Sequence, residues 1–174
     1  MSDYGNKPFG LRDLKVTNAA GSTQVDLPAA MTLTFKEMLT TGTLRGDDII
    51  QSVVSISDGL EWELEAGGID LDAYALMTGR TATEAGTTPN QTNTLTGSGG
   101  DVMPYFKIYG KSVGDGADDI HVKLFKCKLT SPIEGQFADG QFFVTKASGI
   151  ALDDGSNGIY DLVQNETATT LPTS

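Results

Sequence analysis

Apolar and polar residues alternate along several stretches of the chain, which is the pattern of β-strands that bury one face. The clearest alternation covers residues 60–66, where leucine, tryptophan and alanine alternate with glutamate. Because the apolar positions share one face of this strand, Trp62 and Leu64 are predicted to lie in the core. A second alternating stretch, residues 31–36, adds Phe35 to the predicted core.

Turn signals divide the rest of the chain into further predicted strands. These strands cover residues 49–57, 102–113, 120–130, 133–137, 141–151 and 158–165. The pair Asp58-Gly59 predicts a tight hairpin turn. Residues 39–48, which are mostly polar and contain two glycines, predict a loop that joins two long strands.

One helix is predicted, over residues 69–78, with Asp70 as its N-cap and Gly79 as the residue that ends it. Strands precede and follow this helix. The order of elements therefore predicts a mainly β fold: a β-sandwich or barrel of about eight strands with one flanking short α-helix. We expect a single domain spanning residues 1–174.

Two polar segments are predicted to lie outside the packed body. Residues 80–101 are rich in Thr, Asn and Gly and nearly free of apolar side chains, so they predict a long polar loop or arm. Residues 166–174 predict a mobile C-terminal tail.

Charge and cysteine content exclude several classes of protein. The 174 residues carry a net charge of −11, which argues against a role in binding nucleic acid, since such binding requires Lys and Arg at the phosphates. A single cysteine, Cys127, cannot form a disulfide within the chain. We expect no secretory signal and no membrane span, and folding in a reducing, cytosol-like compartment.

Candidate catalytic residues are few. His121 is the only histidine, so any Ser/His/Asp or Cys/His site would need it, but it alternates with Ile120 and Val122 and is expected to be an ordinary strand-surface residue. Cys127 is expected to be a buried or half-buried filler. Neither a catalytic residue nor a cofactor is predicted, and the chain is not expected to be an enzyme.

The acidic clusters are better explained by turns than by metal binding. Asp115, Asp118 and Asp119, and likewise Asp153 and Asp154, do not follow the alternating ligand pattern of calcium loops, and no metal site is predicted.

Three glutamates share the polar face of the strand at 60–66. Glu61, Glu63 and Glu65 lie at a spacing of ~6–7 Å, at which a glycosidase pair is conceivable. A solvated face, or one paired with basic residues in the same or another subunit, is the simpler interpretation. The candidate basic residues are Lys107, Lys111, Lys123, Lys126 and Lys128.

Several blocks of the chain, in this order and spacing, resemble the tail tube (major tail) proteins of bacteriophages. The blocks are LPAA at 27–30, LRGDD at 44–48, GLEWELEAGGI at 59–69, MTG at 77–79, FKIYG at 106–110 and KCKLT at 126–130. The resemblance implies a structural virion protein that forms homohexameric rings. The rings would stack head to tail into a hollow tube through which viral DNA passes during ejection without specific binding.

The resemblance also implies partners, a location and a contact. Other tail proteins would bind the tube ends, and assembly would occur in the cytoplasm of the bacterial host before the protein becomes part of the virion. The loop at 39–48 would reach the neighbouring ring. Leu44 would be the apolar anchor of this contact, and Arg45, Asp47 and Asp48 would set its register.

Two alternatives remain open from the sequence. One is the tube protein of a bacterial contractile injection system, which shares the fold. The other is a non-catalytic β-sandwich binding module, such as a carbohydrate-binding or capsid decoration protein. Exposed aromatic residues grouped on one face would favour the binding module.

Overall fold

The computed structural model describes residues 7–27, 29–68, 70–114, 116 and 118–172, and within them the chain forms eleven strands and one helix. The strands are β1 (Phe9–Asn18), β2 (Gln24–Asp26), β3 (Ala30–Gly46), β4 (Ile49–Gly67), β5 (Ala82–Ala85), β6 (Thr92–Leu95), β7 (Phe106–Val113), β8 (Asp119–Leu129), β9 (Glu134–Gly135), β10 (Val144–Ala151) and β11 (Tyr160–Asn165), and the helix is α1 (Leu71–Thr78). The predicted mainly β fold with one short helix is confirmed.

Nine of the strands form one antiparallel sheet in the order β2-β1-β7-β8-β10-β4-β3, with β11 paired to β8 and β9 paired to β10. The sheet folds back on itself, because β8 pairs with β11 through its first half and with β10 through its last residues. Leu33 of β3 consequently packs against Gly110 of β7, where a Cβ atom would lie 2.9 Å from the Leu33 Cδ2. Two layers of one sheet thus enclose the core, as expected for a sandwich.

The core centres on Trp62. Its ring meets Phe106 edge to face, with ring centroids 5.6 Å apart. Trp62 and Leu64 are each 2 % exposed, so their prediction as core residues is confirmed. Phe35 is different: it is paired directly with Trp62 but is 37 % exposed, so its prediction as a core residue is wrong. β3 is the edge strand of the sheet, and the Phe35 ring lies beside Tyr160 and lines a cleft of about 290 Å³ instead of filling the core.

Helix α1 begins and ends as its sequence predicts. The Asp70 carboxylate accepts hydrogen bonds from the backbone N–H groups of Asp72 (2.9 Å) and Ala73 (3.0 Å). Gly79 has φ 73°, the left-handed conformation that ends a helix. Ala73 and Met77 face the core. Residue 69, the predicted first residue of the helix, lies outside the described residues.

Several predicted boundaries are wrong. The segment 80–101 is not structureless, because β5 and β6 form a small hairpin within it. β1 and β2 were not predicted at all. The strand expected from residue 102 begins at Phe106, and Asp58-Gly59 lies inside β4 rather than in a turn.

Candidate self-association surface

Beyond the body of the sheet, the outer halves of β3 and β4 continue as a two-stranded ribbon of residues 39–57, called here the extended hairpin. Its ladder runs from the pair Leu39 and Ser57 to the pair Gly46 and Ile49. The prediction of a polar loop over 39–48 is therefore wrong, since β3 reaches Gly46. Asp47 and Asp48 alone form the turn. Both have positive φ (53° and 64°), which two-residue hairpin turns require and which aspartate tolerates.

The extended hairpin exposes an unusual amount of apolar surface. Seven aliphatic side chains along it are between 54 and 65 % exposed. They are Leu39, Leu44, Ile49, Ile50, Val53, Val54 and Ile56. Soluble monomers rarely display contiguous apolar surface of this kind, and such patches mark interaction sites.

These side chains lie on both faces of the ribbon. Residues paired across an antiparallel ladder share a face, and faces alternate along each strand. The observed register, with a bulge between Leu44 and Arg45, therefore divides the apolar residues into two sets. One face carries Leu44, Ile49, Val54 and Ile56, and the other carries Leu39, Ile50 and Val53. A sheet with one solvated face would show apolar residues on one side only.

The four predicted contact residues lie together at the tip of the extended hairpin. Leu44 is 65 % exposed, Arg45 is paired with Ile50 next to the turn, and Asp47 and Asp48 form the turn itself. The β-branched residues of the return strand were not predicted to be exposed surface. The available signal was their position opposite the polar run of residues 40–43, which offers no apolar partner.

A second exposed apolar surface lies in the segment between β8 and β10, residues 133–143, called here the aromatic loop. Phe137 is 84 % exposed and Phe142 is 98 % exposed. The Phe137 ring packs on Phe143 with centroids 4.7 Å apart. Two clefts, of about 400 and 550 Å³, flank this loop and share Ile133 and Glu134 in their walls. The pattern of residues 133–143, which predicts two strands, gave no indication of this surface.

His121 is not the strand-surface residue that was expected. It is 3 % exposed, and its Nε2 lies 3.1 Å from the carboxylate of the fully buried Asp119. Lys111 forms an ion pair of 2.9 Å with the same carboxylate. Burial raises the pKa of Asp119, but hydrogen bonds from Asn165, Lys111, the Thr169 backbone and His121 outweigh it, so the pKa lies well below its ordinary value. Four groups of the same subunit thus hold the Asp119 carboxylate.

The C-terminal tail covers this cluster. Leu171 is 2 % exposed, and the Gln24 side chain donates a 2.9 Å hydrogen bond to the Pro172 carbonyl. Over residues 169–172 the tail therefore packs on the sheet rather than projecting freely, which corrects the prediction of a mobile tail there. Residues 173 and 174 lie outside the described residues.

The other candidate functional residues are buried or make contacts within the subunit. Cys127 is fully buried, and burial raises the pKa of its thiol well above the ordinary range. The described residues contain no group of three or more His, Cys, Asp or Glu side chains that could hold a metal ion. Glu65 forms an ion pair with Lys146 of β10. Lys126 and Lys128 lie over the Tyr105 ring.

The chain matches no protein-family model and no curated protein sequence. Among the described residues, no helix is long and apolar enough to cross a membrane.

Proposed function

We propose that this chain is the structural subunit of a phage tail tube, which polymerises as stacked hexameric rings and forms the conduit for viral DNA. The observation that carries the proposal is the extended hairpin, whose two faces are both apolar and both exposed in the single subunit. A two-stranded ribbon is marginally stable at best in water, so an apolar one needs a partner on each face.

The energetics of the extended hairpin suit assembly. Fully burying one Val, Leu or Ile side chain contributes ~1.5–3 kcal/mol, so burying the exposed part of seven of them would contribute on the order of 5–10 kcal/mol. Association costs several kcal/mol of translational and rotational freedom. One hairpin contact would therefore be modest, and many repeated contacts would be needed for a stable polymer.

The charge of the chain agrees with a conduit. A net charge of −11 makes the subunit a poor ligand for DNA phosphates, and a tube through which DNA slides should not hold it. The basic residues are partly matched by acids within the subunit. Lys123 lies directly opposite Asp161 in the β8–β11 ladder, and Lys111 pairs with Asp119.

A binding module is the second candidate, because one observation favours it. The aromatic loop groups exposed Phe137 and Phe142 on one part of the surface. Phenylalanine, however, lacks the polar group with which Tyr and Trp combine ring contact and hydrogen bonding, and the single Trp62 is buried. The loop is accordingly better suited to an apolar protein surface than to a sugar.

Electron microscopy and sedimentation of the purified chain test the proposal. We expect rings or tubes with an open lumen, whose fraction rises with protein concentration. A chain that stays monomeric at all concentrations would contradict the proposal. Retention of that monomer on a carbohydrate or capsid matrix would favour the binding module instead.

A further inference from the structure

We propose that the aromatic loop is the surface that receives the extended hairpin of the next copy of this chain. The inference rests on the proposed assembly and adds the second half of its contact. A second copy of the chain would occupy the clefts beside Phe137 and Phe142.

The two surfaces lie at opposite ends of the subunit. β4 extends over 19 residues from the tip of the extended hairpin to Gly67. At ~3.3 Å per residue its ends are up to roughly 60 Å apart. Gly67 is paired with Val144, which directly follows the aromatic loop. One subunit therefore cannot bring its own hairpin to its own loop, and a contact between them has to join two copies.

Both surfaces combine apolar side chains with charges of both signs. The hairpin tip carries Leu44 beside Arg45, with the two aspartates of the turn. The cleft of about 550 Å³ is lined by Phe142 and also by Glu134 and Lys146. Lys146 is already paired with Glu65 of its own subunit, so the complementary pair that a second copy can form here is Arg45 with Glu134.

The apolar areas fit a small contact that is repeated many times. Because the two faces of the extended hairpin point in opposite directions, one aromatic loop can cover one face. Taking about 100 Å² for each whole aliphatic side chain, the four half-exposed residues on the face that carries Leu44 offer roughly 240 Å². Phe137 and Phe142 add roughly 350 Å². A standard interface buries ~1,200–2,000 Å² in total, somewhat over half of it apolar. The two surfaces together fall just below the lower end of that range, so a stable assembly needs many such contacts.

The geometry also distinguishes this contact from the simplest competitor. Pairing of two extended hairpins would give a closed, two-fold dimer and would leave every aromatic loop exposed. A hairpin-to-loop contact uses two different surfaces and repeats without closing, which generates rings or open filaments. Only the second arrangement covers both apolar surfaces of each copy.

Cysteine crosslinking tests the assignment, with little background because Cys127 is fully buried. Leu44→Cys and Phe142→Cys are prepared as separate full-length chains, mixed and oxidised. We expect a disulfide-linked dimer in the mixture, and a ladder of higher oligomers when one chain carries both substitutions. Val54→Cys with Phe137→Cys is a second pair, which would form the crosslink if the hairpin docks on the loop shifted by a few residues. Ser156→Cys, in the exposed turn before β11, is the control partner for Leu44→Cys and should give no dimer.

The outcomes separate this inference from the proposed function. Crosslinking of Leu44→Cys to itself would show pairing between hairpins and would overturn the assignment. Wild-type tubes without crosslinks in either cysteine pair would also overturn it, while leaving the proposed function intact. A wild-type chain that remains monomeric without any crosslink would overturn both.

Discussion

The carboxylate of Asp119 accepts a 2.7 Å hydrogen bond from the backbone N–H of Thr169, which lies 50 residues further along the chain. The Asn165 side chain donates to the other carboxylate oxygen at 2.6 Å. One buried acid thereby joins the start of β8 to the C-terminal tail. His121, on the same face as Asp119, contacts the same carboxylate and is also buried.

Replacement of the acid tests this link. Asp119→Asn keeps the shape of the side chain but leaves the partly buried Lys111 without its counter-charge. We expect the free energy of unfolding at pH 7 to fall by about 3 kcal/mol, in the range for breaking a buried ion pair. Urea denaturation measures this change. A loss below about 0.5 kcal/mol, the usual size of a surface effect, would contradict the account of the cluster.

The difference in unfolding free energy between wild type and Asp119→Asn should change with pH in a definite direction. The pKa of Asp119 is lower in the folded chain than in the unfolded chain. Its contribution to stability is therefore fully present above the ordinary Asp pKa of about 3.9 and is lost as the pH falls. The difference in unfolding free energy between wild type and Asp119→Asn should narrow below about pH 4. A difference that widened there would show that the sign is wrong.

Trp62 is the second test of the fold. Trp62→Ala should lower the free energy of unfolding by about 3–5 kcal/mol, because it leaves a cavity beside Phe106. Within the described residues, Trp62 Nε1 is buried with no hydrogen-bond partner. Trp62→Phe should therefore cost much less, since it loses ring volume but no hydrogen bond. Equal costs for the two variants in chemical denaturation would contradict the packing described here.

Substitutions at Gly149 and Gly42 test how closely the strands pack, with Gly42 as the control. A Cβ at Gly149 would overlap the Lys128 carbonyl oxygen and lie 2.8 Å from Trp62, whereas a Cβ at Gly42 meets nothing within 4 Å. Gly149→Ala should lower the melting temperature by several degrees or prevent folding. Gly42→Ala should leave the melting temperature unchanged. Similar melting curves for the two variants would mean that β8 and β10 are not packed as closely as described.

The small hairpin of β5 and β6 is expected to be better ordered in the assembly than in the dissociated subunit. It has only four paired positions, and an isolated hairpin of two strands is marginal in water. We expect its amide hydrogens to exchange rapidly in the dissociated subunit and to be protected in the assembly. Hydrogen exchange measured on both forms checks this, and equal protection of these amides in the two forms would contradict the expectation.

The local sequence pattern was sufficient to predict core residues from alternation and helix ends from capping residues. The alternation around Trp62 and Leu64 and the caps Asp70 and Gly79 depend on a few neighbouring residues, and the structure bears them out. Asp58-Gly59 was misleading because the same pair of residues also suits a bulged strand. The ladder shifts register between Met38 and Leu39, opposite this pair.

Other features depend on contacts that are distant in sequence. His121 is buried in a cluster around Asp119 that the C-terminal tail joins through Thr169, and Phe35 lies on the edge strand β3. Neither fact is visible in the residues next to them. The candidate tip residues, including Leu44, were identified from the sequence, but the length of the extended hairpin became evident only from the pairing of β3 with β4.

The most direct test of the central claim is a comparison of assembly by wild type and the double variant Leu44→Ser with Arg45→Glu. Both residues lie at the tip of the extended hairpin, away from the core, so the fold of the subunit, measured by circular dichroism, should be unchanged. Phe9→Ser with Arg12→Glu makes the same chemical changes at exposed positions of β1 and serves as the control. Sedimentation velocity and electron microscopy should show tubes from wild type and control and only dissociated subunits from the tip variant. Normal tubes from the tip variant would contradict the claim that the extended hairpin holds the assembly together.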